Sequence, residues 1–211
     1  MQLYFSPLAC SIATRVSLYE AGAEATYTEV NSKTKLTRDG DDFRQINPLG
    51  LVPVLRTDDG ELLTENAAIL QYVADRFPEA NLAPTDPRGR THLHQWLCFI
   101  GTELHKALFA PLLDSRAPEV VKTYALEKGK SRLEHLERHL TGREYLLDRF
   151  SVADAYLAIV LTWTQVTPID LASLPAIQSY LARVRDRPSF ARALGEERAL
   201  YMEEQARGKK A

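Results

Sequence analysis

The sequence predicts two structural parts, a small α/β layer structure followed by an all-helical domain. Three observations predict it. Strand-like and helix-like segments alternate through the first 80 residues. A stretch from Ala80 to Pro87 carrying two prolines then interrupts the pattern. Beyond it only helical periodicity is found, with Leu93, Trp96, Leu97, Ile100, Leu104 and Leu108 recurring at three- and four-residue steps. The expected division is therefore 1–80 for the α/β domain, 81–87 for a linker and 88–211 for the helical domain.

Each element follows from local signals. Gln2 to Phe5 is a short apolar run closed by Ser6-Pro7, a strand and a turn. Ser11 to Ala21 places Ile12, Val16 and Tyr19 at helical spacing, and Gly22 stops it. Thr26 to Val30 is β-rich. Thr37 to Gly40 is polar and loop-like, and Asn47-Pro48-Leu49-Gly50 is a turn. Val52 to Leu55 reads as a strand, with Thr57-Asp58-Asp59-Gly60 turning the chain into Glu61 to Thr64. Pro53 removes a ladder donor and suits a strand start, an edge or a cis bond. Asn66 to Phe77 is an amphipathic helix carrying Ile69, Leu70 and Val73 on one face. In the second part, Val121, Ala125, Leu133, Leu136 and Leu140 mark a helix. Ser151-Val152-Ala153-Asp154 fits a capping box before the apolar run Ala155 to Trp163. Pro175 to Arg187 is again amphipathic, and the tail from Gly208 to Ala211 is expected to fray.

Composition narrows the function classes. With 211 residues, 45% hydrophobic and 26% charged, the chain is of ordinary globular type. A formal net charge of -2 favours neither nucleic acid nor an anionic membrane as partner. No apolar run approaches the roughly 20 residues of a membrane span. The start, Met1-Gln2-Leu3-Tyr4-Phe5-Ser6-Pro7, lacks the pattern of a secretory signal, so a cytoplasmic location is expected. The cysteines are Cys10 and Cys98, and thiols rather than a disulfide are expected there.

Three places could carry chemistry. Cys10 lies between the Ser6-Pro7 turn and the first helix, where unpaired amides and the helix dipole favour a thiolate; a small buried apolar residue is the alternative. Cys98, Thr102 and His105 share one helix stripe, from which His105 could donate to a thiolate or remain a surface histidine. Glu65-Asn66 opens a helix, so Asn66 could cap it, its amides could hold a carboxylate, and Glu65 could pair with an ammonium group. His92, His94, His105 and Cys98 do not form a compact four-ligand pattern, so no metal is expected. Neither a phosphate loop nor a Gly-x-Ser-x-Gly elbow is present.

Taken in register, several segments resemble bacterial beta-class glutathione transferases. They are Tyr4-Phe5-Ser6-Pro7-Leu8-Ala9-Cys10-Ser11, Asn47 to Leu55, Leu63-Thr64-Glu65-Asn66-Ala67-Ala68-Ile69, Glu103-Leu104-His105-Lys106 and Ser151 to Asp154. The resemblance runs along nearly the whole chain. It implies a thioredoxin-like first domain, an all-α helical-bundle second domain and a homodimer. It also implies a cis bond before Pro53, which would let the Val52 N–H and C=O pair with the cysteinyl unit of glutathione like an added strand. It assigns Glu65 to the γ-glutamyl ammonium, the helix start at Asn66 to its carboxylate and Lys35 to the glycyl carboxylate. Cys10 would face the sulfur, with Tyr4, Ser6 and Ser11 as minor alternatives. His105 and Lys106 would approach from the helical domain, and Glu103 would act at the boundary with the second subunit. Leu8, Phe109, Trp163 and Gln165 would line the acceptor pocket. Two residues depart from the family pattern: Asn66 stands where serine is usual, and Cys98 near a position where many members have asparagine.

The function implied is attack of the glutathione thiolate on a small hydrophobic electrophile, by conjugation or dehalogenation, with glutathione as co-substrate. The alternatives are monothiol redox chemistry through a mixed disulfide at Cys10, as Cys10 lacks a C-x-x-C partner, and a non-enzymatic ligand carrier.

Overall fold

Alternating side chains on the first strand divide the N-terminal part of the chain into two apolar layers. The structure is a computed structural model and describes residues 1–208. Strand β1 (Gln2–Phe5) contributes Leu3 and Phe5 to one layer and Tyr4 to the other. Helices α1 (Ile12–Glu20) and α2 (Asn66–Arg76) close the first layer through Leu18, Ile69 and Val73. Val30, Phe43 and Val54 pack with Tyr4 in the second. With β2 (Thr26–Glu29), β3 (Val54–Arg56) and β4 (Leu62–Leu63), the sheet has the order β2-β1-β3-β4. Strand β1 pairs parallel with β2 and antiparallel with β3, and β3 pairs antiparallel with β4. The parallel pair needs a crossover, which α1 supplies.

Strand β1 has its expected range, and the other three are shorter than the sequence suggests. β3 begins at Val54 rather than Val52, because Pro53 has no N–H to give the ladder. The Val52–Pro53 bond is cis, as the resemblance implies. Gly50 and Gly60 take φ of 61° and 90° in the turns on either side of β3, a conformation that costs glycine least.

Backbone contacts divide the chain into two units: Met1–Leu82 with the segment from Arg187 onward, and Ala83–Asp186. The last helix, α8 (Pro188–Gly208), thus groups with the α/β unit, whereas the sequence reading counts it in the helical domain. The reason lies on α1, where Arg15 is buried and faces Glu196 and Glu197 of α8 at 3.1 and 2.9 Å. Gly208 closes α8, and the remainder of the expected frayed tail, 209–211, lies outside the described residues.

In the second unit, α3 (Pro87–Phe99) runs into a π-helical segment, Ile100–Phe109, and then into α4 (Ala110–Leu113). The apolar stripe expected here, from Leu93 to Leu108, is buried throughout. Helix α5 (Glu119–Leu140) approaches the π segment at Gly129, where an added Cβ would lie 2.3 Å from Leu108 Cδ1. Helix α6 (Val152–Thr162) is buried at every residue, as its uniformly apolar sequence requires. Its capping box forms: the Ser151 N–H and hydroxyl both donate to Asp154 Oδ2 at 2.8 Å. The Leu146 N–H and the hydroxyl of Tyr180, on α7 (Pro175–Arg185), donate to Oδ1 at 2.9 and 3.0 Å. Burial raises the Asp154 carboxyl to about 6 against the pull of these bonds.

Candidate active site

The turn between β1 and α1 positions Cys10. Ser6 ends the strand, and its hydroxyl donates to the Val30 carbonyl at 2.6 Å. Leu8 then takes φ of 62°, a left-handed conformation that side chains adopt rarely, and its N–H donates to Glu197 Oε2 at 2.9 Å. The chain re-enters helical geometry at Ser11, with Ile12 as the first helical residue. Cys10 is buried, 7% exposed, and its Sγ donates to the Val52 carbonyl at 3.7 Å. It lies before the helix proper, with a carbonyl as its partner. The minor alternatives are engaged as well: the Tyr4 hydroxyl donates to Gln2 Oε1 at 3.1 Å and the Ser11 hydroxyl to the Ser6 carbonyl at 3.3 Å.

Asn66 ties α2 to this turn. It occupies the first helical position, not the cap, and it is buried. Its Nδ2 donates to the Cys10 carbonyl at 3.3 Å, and its Oδ1 accepts from the Thr14 hydroxyl at 3.0 Å. Glu65 holds the cap position at φ 41° and ψ 138°, and its side chain makes no cap hydrogen bond. Its carbonyl accepts from Ala68 and Ile69. The Glu65 carboxylate is exposed, so a strained backbone presents it beside a helix start. Lys35 also has positive φ, 63°, and lays its stem along Gly50, where a Cβ would meet Lys35 Cδ at 3.2 Å. Within this unit the structure therefore links Cys10, Val52 and Asn66 directly, with Glu65 and Pro53 adjacent in sequence.

The second unit carries the remaining candidates on the π segment. His105 Nδ1 lies 2.8 Å from the Tyr156 hydroxyl, and its ring meets Trp163 edge-on at 4.9 Å between centroids. Burial, and then the Lys106 ammonium, lowers the His105 imidazole to about 4, so it is neutral near pH 7. Glu103 accepts from Arg132 Nε and Nη2 at 3.0 and 2.9 Å. Lys106 is exposed. The stripe expected to join Cys98, Thr102 and His105 is broken. Cys98 and Thr102 are exposed, and the Thr102 hydroxyl donates back to the Cys98 carbonyl, while His105 turns to Tyr156 and Trp163. The wider π turn changes the angle between residues, and α-helical spacing does not foresee it. Of the expected acceptor-pocket residues, Phe109 and Trp163 pack on each other at 5.8 Å. No group of three or more His, Cys, Asp or Glu suited to a metal occurs among the described residues.

Sequence reasoning missed Glu197, Arg15 and Tyr156. The signal for the first pair was Arg15 as the one basic residue of α1. Its guanidinium carbon lies 4.2 and 4.1 Å from the Phe5 and Tyr27 ring centroids. Tyr156, two residues beyond the capping-box Asp154, had no signal separating it from the core around it.

Comparisons with known proteins identify the family and the fold. Residues 9–76 match the model of the glutathione S-transferase N-terminal domain, and residues 94–188 that of the C-terminal domain. Glutathione S-transferase GstA of Escherichia coli O157:H7 is 38% identical over 199 residues, covering 93% of this chain and 98% of its own. A sphingomonad glutathione S-transferase solved in complex with glutathione has a TM-score of 0.89 and 41% identity. The beta-class enzyme of Sphingomonas chungbukensis gives the same values. In both pairs the alignment covers 93% of this chain and 98% of the solved one.

Proposed function

The chain belongs to the glutathione S-transferase family, and from that premise we infer that its first unit binds glutathione and presents the sulfur for attack on a small hydrophobic electrophile. The observation that carries this reading is the linkage of three backbone features around one thiol. The Val52 carbonyl precedes the cis bond to Pro53, the Cys10 turn meets that carbonyl, and the start of α2 is fastened to Cys10 through Asn66. Val52 offers backbone groups to an extended cysteinyl unit in the manner of strand addition. The amides at the start of α2 suit the γ-glutamyl carboxylate, and the exposed Glu65 carboxylate suits the ammonium beside it. Lys35 supplies the cation for the glycyl carboxylate, a pairing that weakens with salt. A relative solved with glutathione supports the choice of ligand.

In the reaction the glutathione thiol loses its proton to water, and the thiolate forms a bond to the electrophilic carbon. The leaving group, a halide for an aryl halide, departs with the bonding electron pair. Lowering the thiol pKa by one unit corresponds to about 1.4 kcal/mol of preference for the anion. Hydrogen-bond donors aimed at the sulfur supply such a preference, and we propose His105 for that part, with Lys106 adding positive charge. The protein is expected to work as a cytoplasmic homodimer with Glu103 near the subunit boundary. No described helix is long and apolar enough to cross a membrane.

The test is turnover of glutathione with 1-chloro-2,4-dinitrobenzene, with glutathione binding followed by calorimetry. Conjugation that rises with enzyme concentration is the expected result. Tight glutathione binding without turnover of any electrophile would overturn the transfer chemistry and leave the binding site standing.

A further inference from the structure

The loop that follows β2 is built around one side chain. Asn31 Oδ1 accepts from the Lys33 and Thr34 N–H groups at 2.9 and 2.8 Å. The Asn31 carbonyl accepts from the Lys35 N–H at 3.0 Å, and the Asn31 N–H donates to the Leu36 carbonyl at 2.9 Å. Asn31 Nδ2 donates to Glu204 Oε1 of α8 at 2.6 Å, across 173 positions of sequence. That last contact fixes the orientation of the amide. A carboxylate only accepts, so the NH2 must face it, and Oδ1 is then turned to the two backbone donors. With the amide reversed, oxygen would face oxygen and N–H would face N–H. Glu203 adds an ion pair to Arg38 at 3.4 Å, but both side chains are exposed and such pairs contribute little. All of these residues belong to the α/β unit.

Lys35 is the residue that this loop holds in place. Its φ of 63° is left-handed, a conformation that persists only where the surroundings impose it. The Asn31 carbonyl holds its N–H, and its own carbonyl accepts from the N–H of the buried Phe43 at 2.9 Å. The stem then runs beside Gly50, two residues before Val52: Lys35 Cγ, Cδ and Cε lie 3.4, 3.2 and 3.4 Å from where a Cβ of Gly50 would stand. We propose that Asn31, oriented by Glu204, is the positioning residue that sets Lys35 for the glycyl carboxylate of glutathione. The proposal rests on the reading in which Lys35 meets that carboxylate. A charge on a long stem gains most when its backbone is already fixed, since the entropy of ordering it otherwise opposes binding. The last helix of the chain thus acts on the glycyl end of the tripeptide through one amide, with neither Asn31 nor Glu204 touching the ligand.

The test compares glutathione with γ-glutamylcysteine, which lacks the glycyl residue, in calorimetric titrations of the full-length protein. The unaltered protein should bind glutathione more tightly, and Lys35→Met should remove that preference. Asn31→Ala and Glu204→Ala should weaken glutathione binding about three- to tenfold, the worth of one hydrogen bond, and change γ-glutamylcysteine binding less than about twofold. Glu204→Gln keeps an acceptor for Asn31 Nδ2 and should retain most of the preference. The salt dependence of glutathione binding should flatten in Asn31→Ala as it does in Lys35→Met. Equal losses for the two ligands in Asn31→Ala would overturn the proposal, because Asn31 would then serve the fold alone. Unchanged glutathione affinity in Glu204→Ala would overturn it as well, and if Asn31→Ala fails to fold, the two Glu204 variants decide. Lys35→Met separates this from the underlying reading. If that variant keeps the preference for glutathione, the placement of Lys35 at the glycyl carboxylate fails. If it loses the preference while Asn31→Ala and Glu204→Ala keep it, the positioning role alone fails.

Discussion

The thiol of Cys10 donates to the Val52 carbonyl at 3.7 Å, so its sulfur is engaged within the chain. A cysteine so held is a weak candidate for the obligatory nucleophile, and the helix and strand groups around it do not depend on its sulfur. Cys10→Ala is therefore expected to keep glutathione conjugation within about tenfold of the unaltered rate, a loss of about 1.4 kcal/mol. Any glutathione adduct on residue 10 seen by mass spectrometry should vanish. A loss of about a thousandfold would make the Cys10 sulfur essential to transfer. His105 makes a second prediction. Its imidazole is lowered to about 4 by burial and by Lys106, while the unfolded chain has it near the ordinary 6.5. Between those values the unfolded state binds the proton that the folded state refuses, so stability falls as pH drops from about 6.5 to 4. Partial exposure reduces the effect to about 2 kcal/mol, and His105→Asn should remove that part of the acid-side slope in urea melts. These residues were visible in the sequence because their signals are local. A cysteine after a Ser-Pro turn, Glu-Asn at a helix start and a proline in a strand each define a site within a few residues. The direction in which Asn66 points was not visible, since its partners Cys10 and Thr14 come from 56 and 52 residues away.

Between α5 and the π segment, packing depends on a missing side chain. Gly129 faces Leu108 with no room for a methyl group: an added Cβ would lie 2.3 Å from Leu108 Cδ1 and 2.9 Å from Cδ2. Helix propensity alone would make Gly129→Ala stabilising by up to about 1 kcal/mol. The clash works against it, because Leu108 is 1% exposed and must leave its rotamer or push α5 away. The clash should win, with a net loss of about 1–3 kcal/mol in denaturant unfolding. In a Leu108→Ala background Gly129→Ala should cost less than it does alone, and a stabilised Gly129→Ala would show that Leu108 moves freely. The same pair of elements shows how far periodicity carries. Apolar spacing found the helix and its buried face, since Leu93, Leu97, Ile100, Leu104 and Leu108 all lie inside. It could not register that Ile100–Phe109 widens to π geometry, because hydrogen-bond pattern leaves no trace in apolar spacing. The misplaced stripe of Cys98, Thr102 and His105 follows directly from that.

Across the whole molecule, the α/β unit is completed by the end of the chain. Helix α8 supplies Glu197, which is fully buried and faces Arg15 Nε at 2.9 Å while accepting from the Leu8 N–H. Glu196 adds a second carboxylate, 3.1 Å from Arg15 Nη1 and 2.5 Å from the Tyr19 hydroxyl. Composition and periodicity assign this helix to the helical domain, because nothing within it reveals a partner 189 residues earlier in the chain. Burial pushes the Glu197 carboxyl up, and Arg15 opposes that shift. Replacing Glu197 leaves the buried Arg15 with the partly exposed Glu196 alone and takes the acceptor from the Leu8 N–H, which costs more than the pair contributes. Glu197→Ala is expected to destabilise the protein by about 3–5 kcal/mol, more than Glu196→Ala, whose carboxylate is partly exposed. Both tryptophans, Trp96 and Trp163, lie in the other unit, so their fluorescence does not report directly on this one. Hydrogen exchange resolved along the chain is the suitable measurement: in Glu197→Ala, amides of β1, β2 and α1 should lose protection first. The double variant Arg15→Met, Glu197→Leu should recover much of the loss, since no charge is then left without its partner. If the single and double variants exchanged alike, the loss would come from packing of α8 rather than from the stranded charge, and Glu197 would hold the Cys10 turn through its Leu8 hydrogen bond alone.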